Sequence, residues 1–457
     1  MHDATALAEA VRRREVTPRE LVEEAFRRLE EVEPQLNSFV TTCHEEALAV
    51  ADRDELPEGP FRGVPIAIKD LTDTAGIRTT FSCRAFADRV PAEDAALVRR
   101  VRATGFVIVG KTNTPEFGST SVTESELNGV CRNPWNLERT PGGSSGGAAA
   151  HVAAGVLPLA HGSDGGGSIR IPAAACGLFG LKPSRGRISP APYGDGSFAL
   201  SQSGPIAWTV RDAAAFLDVV AGYEPGDATW LPPPPRPFAD EALTPPGRLR
   251  IAWTTEPALS YPVEAPCADA ARSAATLLEE LGHDVSEATP PWRDESILHR
   301  FSYLWRMGPA MYGVPLAQLE PLNRALAKAA HETTALEYAS AVVALQRYAR
   351  RVAAFWNDVD VVVTPALGKL PVPIGWVFEP DDPWEQFRRG GEFTPFTPVL
   401  NVTGQPAASV PFDVVDGLPV GVQMIARAGE EATLIRLAAQ IEEARPWSDR
   451  RPPLHAA

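Results

Sequence analysis

The chain has 457 residues, 44% hydrophobic and 22% charged. That is the balance of a globular protein long enough to bury a large core without staples. Its formal net charge of −15 argues against partnership with nucleic acid or an anionic membrane surface, both of which select for basic patches. The five cysteines, Cys43, Cys83, Cys131, Cys176 and Cys267, are odd in number and contain no C-x-x-C pair. This excludes a zinc ribbon or a dithiol motif and fits a reducing, cytoplasmic compartment.

Read in chain order, Met1 to Glu15 carries charge throughout and lacks the apolar core of a signal peptide. Thr17-Pro18-Arg19-Glu20 forms a capping box with proline at the first helical position. Leu21, Val22, Ala25, Leu29 and Val32 follow at helical spacing, and Pro34 marks the expected end. Gly63 to Ile68 is a short apolar run that reads as a buried strand, with Lys69 and Asp70 directly after it. A helix is expected from Glu93 to Ala103, closed by Gly105, and a buried strand from Phe106 to Val109.

Residues 140 to 168 are dense in glycine and serine around an alanine-rich helix, Ala148 to Ala154. Such glycine density implies backbone held close to something, or positive φ. The apolar stretch Ala148 to Ala160 is too short to span a bilayer. Pro232 to Pro237 reads as a surface connection. Leu249 to Trp253 reads as a strand, Cys267 to Leu281 as a helix ended by Gly282, and residues 296 to 357 as mostly helical. Val361 to Val363 is a strand candidate, and residues 364 to 400 read as irregular. Strands and turns follow from Asn401 to Ala426, then a last helix from Glu431 to Glu443. Neither a repeat nor a composition break divides the chain, so one domain over residues 1 to 457 is expected.

Two pattern matches mislead. Gly105-Phe106-Val107-Ile108-Val109-Gly110-Lys111-Thr112 fits the P-loop expression, but Phe-Val-Ile-Val is a strand sequence that would not curl around phosphate. Gly142-Gly143-Ser144-Ser145-Gly146 fits the nucleophile-elbow expression, but Leu137 to Pro141 makes a poor preceding strand. His283, His299, His331 and His455 offer the elbow no supporting context. An Asn-x-Thr sequence at Asn401 carries no weight in a protein of a reducing compartment.

Three features read together are specific: Lys69 after a buried strand, Ser144 in Gly142-Gly143-Ser144-Ser145-Gly146-Gly147, and Ser168 in Ser163-Asp164-Gly165-Gly166-Gly167-Ser168-Ile169-Arg170-Ile171-Pro172. With this order and spacing the sequence resembles the amidase signature family. The resemblance runs from Gly63-Val64-Pro65 to Gly404-Gln405-Pro406-Ala407. It implies an α/β fold with a large mixed, twisted β-sheet covered by helices on both faces. The signature core would span about residues 60 to 210, and the variable pocket region about 290 to 400.

The chemistry explains why such residues belong together. Serine is a weak nucleophile, and an amide carbonyl is a poor electrophile. A base must take the hydroxyl proton, and donors must hold the oxyanion. Lysine is a base only when neutral; its free pKa is about 10.4, and burial can lower it by about 3–5 units. The resemblance implies that Ser168 is acylated, that Ser144 relays its proton to Lys69, and that the peptide bond before Ser144 is cis. It implies an oxyanion hole from the N–H groups of Gly165, Gly166, Gly167 and Ser168. Asp164 and Arg170 would support the nucleophile, and Ser145 would bond nearby backbone at the substrate side. The family often has a larger residue where Gly165 stands. No metal or cofactor is implied, and the partner is a small-molecule amide.

Substrate choice is expected to lie with Phe117, Gly118, Ser119 and Thr120, and with apolar residues of the variable region: Trp305, Met307, Met311, Tyr312, Phe393 and Phe396. Gly110 to Glu116, Arg132 to Leu137 and Arg445-Pro446-Trp447 are similar to the 6-aminohexanoate-cyclic-dimer hydrolases, family members that open cyclic amides of nylon monomers. Where those carry an amide side chain, this chain has Ser119. Rival readings are an amidotransferase A-type subunit acting on glutamine and charged tRNA, a Ser-His-Asp esterase using Ser144, and a non-catalytic binding protein. Oligomeric state, including a homo-oligomer, is left open.

Overall fold

A computed structural model describes residues 3–53, 56–194 and 196–456. Met1 and His2 of the charged N-terminal stretch lie outside these. Eleven strands form one mixed sheet: β1 (Phe39–Thr42), β2 (Pro65–Lys69), β3 (Val107–Thr112), β4 (Leu159–Asp164), β5 (Phe179–Lys182), β6 (Gln202–Ala207), β7 (Arg250–Trp253), β8 (Asp284–Glu287), β9 (Val361–Pro365), β10 (Ala407–Val415) and β11 (Leu418–Ala426). Their spatial order is β1-β3-β2-β4-β6-β5-β10-β11-β9-β7-β8. The neighbours β3, β2 and β4 run parallel, as do β9, β7 and β8; the remaining pairs are antiparallel.

The helices used below are α1 (Ala4–Arg12), α2 (Pro18–Leu36), α3 (His44–Ala51), α4 (Ala96–Ala103), α5 (Gly146–Ala153), α6 (Arg170–Cys176), α7 (Val210–Val220), α8 (Ala265–Glu280), α9 (Ile297–Trp305), α10 (Pro321–His331), α11 (Ala335–Ala353), α12 (Pro383–Phe393), α13 (Pro398–Thr403) and α14 (Glu431–Ala444). They cover both faces of the sheet. Ile66 and Ile68 of β2 join one apolar cluster with α1, α4, α7, α8 and α14, while Ala67 between them joins another with α2 and α3. At the far end Val361 and Val363 face the first cluster, and Val362 faces a third with α9, α11 and α13. Successive side chains of a strand point to opposite faces. Burial on both faces is why these strands read as unbroken apolar runs.

Most expected elements are present, with instructive shifts. The Thr17 capping box forms with both reciprocal bonds. Pro34 does not end α2; the helix runs on to Leu36 and closes at Asn37 in the left-handed region. Residues 93–95 stay outside α4, because the Asp94 carboxylate accepts from the Ala75 N–H at 2.7 Å and from Arg102 Nε at 3.0 Å. The P-loop match is a core strand: Val107 to Thr112 is buried, and Lys111 Nζ donates to Thr74 Oγ1 and Thr79 Oγ1, each at 2.9 Å. The first charged residues are assigned no element of their own from the sequence. They form α1, capped by Asp3 and held where Asp212 accepts from the N–H groups of Ala4 and Thr5. Region 364–400 is not irregular throughout. It contains α12, capped by Asp382 with Pro383 at its first position, and the start of α13. Among the described residues no helix is long and apolar enough to cross a membrane.

Candidate active site

Parallel neighbours end on the same side of a sheet. β2 and β4 are such neighbours, so Lys69, the last residue of β2, arrives beside Ser163 and Asp164 at the end of β4. After Asp164 the chain makes a tight glycine loop and enters α6 with Arg170. The second glycine-serine cluster leads into α5. Two helix starts and two strand ends therefore converge.

Lys69 is completely buried, Ser144 is 2% exposed and Ser168 is 5% exposed. Lys69 Nζ donates to Ser144 Oγ at 2.7 Å, to Ser163 Oγ at 3.1 Å and to the Ser163 carbonyl at 3.3 Å. The Gly143–Ser144 peptide bond is cis. Burial pushes the Lys69 ammonium down to about 7, against the opposing attraction of the Asp164 carboxylate. Ser163 belonged to the recognised motif, yet its side chain was not assigned a part; it anchors the lysine.

The loop after β4 is braced by Asp164. Its Oδ1 accepts from the Gly167 N–H at 2.8 Å, and its Oδ2 from the Ile169 N–H at 3.2 Å. Arg170 grips the same carboxylate through Nε and Nη2, each at 2.9 Å. Burial alone would raise this carboxyl, but Arg170, Lys182 and Asn401 together hold it well below the usual carboxylate range. Asn401 donates to the Asp164 carbonyl at 2.8 Å and accepts from Arg170 Nη2 at 2.8 Å. Thr397 Oγ1 donates to the Gly166 carbonyl at 2.7 Å. Gly167 has φ +130°, and a Cβ there would lie 2.3 Å from Thr397 Oγ1, so only glycine fits. Among the described residues no hydrogen bond takes up the N–H groups of Gly165, Gly166 or Ser168, whereas that of Gly167 is spent on Asp164.

Asn401 and Thr397 went unrecognised as site residues. No local pattern marks them, because they reach the loop from α13 and the residue before it, more than two hundred positions away in sequence. Ser145 is fully buried; its Oγ donates to the Ser163 carbonyl at 3.2 Å and accepts from the Ser163 N–H at 3.3 Å. It ties the two serine loops together. Gly118 backs onto the same group: a Cβ there would lie 3.0 Å from Ser144 Oγ.

Ser168 opens onto a narrow cavity of about 60 Å³ lined also by Gly166, Ser119, Thr120 and Ser121. Leu298, Phe301 and Trp305 form an apolar wall from one face of α9, with Leu322, Phe387 and Ile171 completing it. Trp305 Nε1 donates to the Ser119 carbonyl at 3.0 Å and its ring stacks on Phe301 at 5.2 Å. Of the expected pocket residues, Ser119, Thr120 and Trp305 line the cavity. Phe393 and Phe396 are fully buried packing groups, and Met311 is 70% exposed. Tyr312 stacks on Phe117 at 4.6 Å, away from the cavity lining. Leu298 and Phe301 share one helical face with Trp305, a signal present in the sequence but read there for Trp305 alone. Among the described residues no group of three or more His, Cys, Asp or Glu side chains could hold a metal ion.

The Amidase family model matches residues 20–435. The 6-aminohexanoate-cyclic-dimer hydrolase of Paenarthrobacter ureafaciens is 40% identical, over 99% of this chain and 96% of that protein. A putative amidase, AmiB2, of Mycobacterium tuberculosis is 43% identical, over 94% of each. A solved structure of 6-aminohexanoate cyclic dimer hydrolase complexed with substrate matches with TM-score 0.95 and 38% identity, covering 99% of both chains.

Proposed function

This chain belongs to the amidase family and hydrolyses amide C–N bonds, and from that premise we propose that Ser168 is the acylated nucleophile, Ser144 the proton relay and Lys69 the base. The observation that carries this is the 2.7 Å contact between Lys69 Nζ and Ser144 Oγ in a buried site, where the adjoining Ser145 donates its N–H to the Ser168 carbonyl at 3.2 Å. With Lys69 neutral the direction of that hydrogen bond reverses, and the Ser144 hydroxyl donates to Nζ. Ser144 Oγ then takes the proton of Ser168 Oγ as the latter attacks the carbonyl carbon. The N–H groups of Gly165, Gly166 and Ser168 receive the oxyanion; that of Gly167, expected among them, instead steadies the loop through Asp164. The relay returns the proton to the leaving nitrogen, and the C–N bond breaks. Water, deprotonated by the same relay, then cleaves the ester. The cycle needs no metal or cofactor.

Asp164 and Arg170 act as positioning residues for this loop. Ser119 meets the substrate, with Gly118 and Ser145 bordering the site behind it. The histidine esterase reading is disfavoured: Ser144 Oγ is held by Lys69, and of its candidate histidines His283 is engaged by the Leu249 N–H and by Gln440 Oε1, while His299 packs edge-on against Tyr303. The chain is read as one catalytic domain, supported by the single eleven-stranded sheet. A cytoplasmic location is proposed from its five free, buried thiols.

The substrates proposed are linear or cyclic 6-aminohexanoate oligomers and similar slim amides. Support comes from the narrow cavity with its Leu298, Phe301 and Trp305 wall, and from the relatives' own substrates. Incubating the enzyme with the cyclic and linear dimers and following products by mass spectrometry tests this. Ring opening or monomer release by wild type, absent with Ser168→Ala, is expected. Turnover of simple amides with neither dimer cleaved would restrict the reading to a general amidase.

A further inference from the structure

Beyond Leu322, which lines both, a second cavity of about 370 Å³ adjoins the catalytic cleft. Its polar wall is rich in carboxylates, beside the Ser125 hydroxyl and the Gln386 amide. Glu124, Glu126 and Glu320 line it, and among the described residues no lysine or arginine does. Glu124 is 9% exposed, and its carboxylate is met by one donor, the Gly375 N–H, at 3.1 Å. Glu320 Oε1 accepts from the Glu126 N–H at 2.7 Å. Behind them Glu116 Oε2 accepts from the Glu320 N–H and from Asn323 Nδ2. Arg84 pairs with Glu126 at 2.9 Å on the exposed side. Gln386 also lines the cavity and is 7% exposed. Its Nε2 donates to the Pro380 carbonyl at 2.8 Å, while its Oε1 is buried without a partner.

A buried carboxylate with one N–H partner and an orphaned amide oxygen are costly arrangements in isolation. They become favourable if a ligand supplies donors. Burial drives Glu124 and Glu116 upward, and burial reinforced by the neighbouring Glu116 and Glu126 carboxylates takes Glu320 to about 8 against a smaller opposing pull from Arg84. A metal ion does not fit, since among the described residues no three such groups converge tightly enough to hold one. An alkylammonium does fit: it has three donors, no acceptor and a single charge, on an apolar stem that Leu322 and Phe378 can cover.

We propose that this cavity is a cation subsite for the terminal ammonium on the acyl side of the substrate. The inference rests on the amidase reading above and names the substrate class of that site. The acyl part of a linear 6-aminohexanoate chain ends in an ammonium, and its leaving part ends in a carboxylate, for which the lining of this cavity offers no lysine or arginine among the described residues. When a cyclic dimer opens, the C–N bond breaks and the leaving nitrogen takes the relayed proton. That nitrogen stays tethered to the acyl-enzyme; with a second proton from solvent it is an ammonium. Held in this cavity as an ammonium it has no lone pair to attack the ester, so water completes the cycle.

The test compares 6-aminohexanoyl 4-nitroanilide with heptanoyl 4-nitroanilide, in which a methyl group replaces the ammonium. Wild type is expected to favour the aminoacyl substrate in kcat/KM by about tenfold or more, the worth of a hydrogen-bonded charge. That ratio, read within each protein, is expected to collapse toward one in Glu320→Gln and Glu124→Gln. A wild-type ratio near one, or a ratio unchanged in both variants, overturns the subsite. Calorimetric titration with hexylammonium chloride and with 1-hexanol reads the site without turnover. Tighter binding of the ammonium, lost in the variants, supports the subsite; equal binding overturns it. If neither anilide is cleaved while ammonium binding persists, the amidase reading falls and the cation subsite stands.

Discussion

Lys69 Nζ and Ser144 Oγ meet at 2.7 Å, and Lys69 is wholly shielded from solvent. A protonated lysine here would donate to Ser144 and block the relay, whereas a neutral lysine accepts from it. Because burial sets Lys69 near about 7, kcat/KM is expected to fall about tenfold per pH unit below that point and to level off above it. A pH–rate profile flat across this range would contradict the assignment of Lys69 as base.

Replacing Lys69 with methionine should separate function from stability. Activity is expected to fall by at least about 10³-fold. Stability at pH 7 to 8 is expected to rise. The folded lysine titrates near about 7, the unfolded one near about 10.4, so the unfolded state binds more protons between those values and the buried amine costs stability there. That cost shrinks as pH rises toward the unfolded value, and so should the advantage of Lys69→Met. Urea midpoints for both proteins across this range check the sign.

The Asp164–Arg170 pair is fully buried, with two N–O contacts of 2.9 Å. Asp164→Asn would leave the guanidinium without its counter-charge and weaken the hold on the Gly167 N–H. Breaking a buried pair from one side costs about 3–5 kcal/mol. Loss of that order in denaturant unfolding is expected, with kcat reduced more than KM is raised, because the loop and not the acyl cavity is loosened.

Gly165 and Trp305 share one volume. A Cβ on Gly165 would lie 3.0 Å from the indole ring, tighter than ordinary packing allows. Gly165→Val is therefore expected to displace Trp305, break its hydrogen bond to the Ser119 carbonyl and lower kcat/KM by about tenfold or more. Trp305→Ala in the same chain should recover part of that loss. Additive losses in the double variant would show that the two residues do not compete for space.

The core of the proposed site was legible because its residues cluster locally. Lys69, Ser144 and Ser168 each sit in a short pattern whose spacing survives in the sequence. The α/β alternation was legible for a related reason: strands such as Pro65 to Lys69 and Val361 to Pro365 are buried on both faces and read as continuous apolar runs. What escaped was non-local. Asn401 was dismissed as a chance Asn-x-Thr match, yet it is 2% exposed and bonds Asp164 and Arg170 from across the fold. Phe393 and Phe396 have the same composition as a pocket wall, and only tertiary packing separates them from Phe301. Pro34 failed as a terminator because the buried Val32 and Leu36 on either side of it, and the Asn37 N–H bonded to the Glu33 carbonyl, hold the last turn.

The most direct test of the account is intact-mass spectrometry after treatment with a fluorophosphonate, on wild type, Ser144→Ala and Ser168→Ala. One adduct on wild type, mapped by peptide fragmentation to Ser168, slowed in Ser144→Ala and absent in Ser168→Ala, is the expected result. An adduct that persists in Ser168→Ala, or that maps to Ser144, would contradict Ser168 as the nucleophile and with it the relay from Ser168 through Ser144 to Lys69.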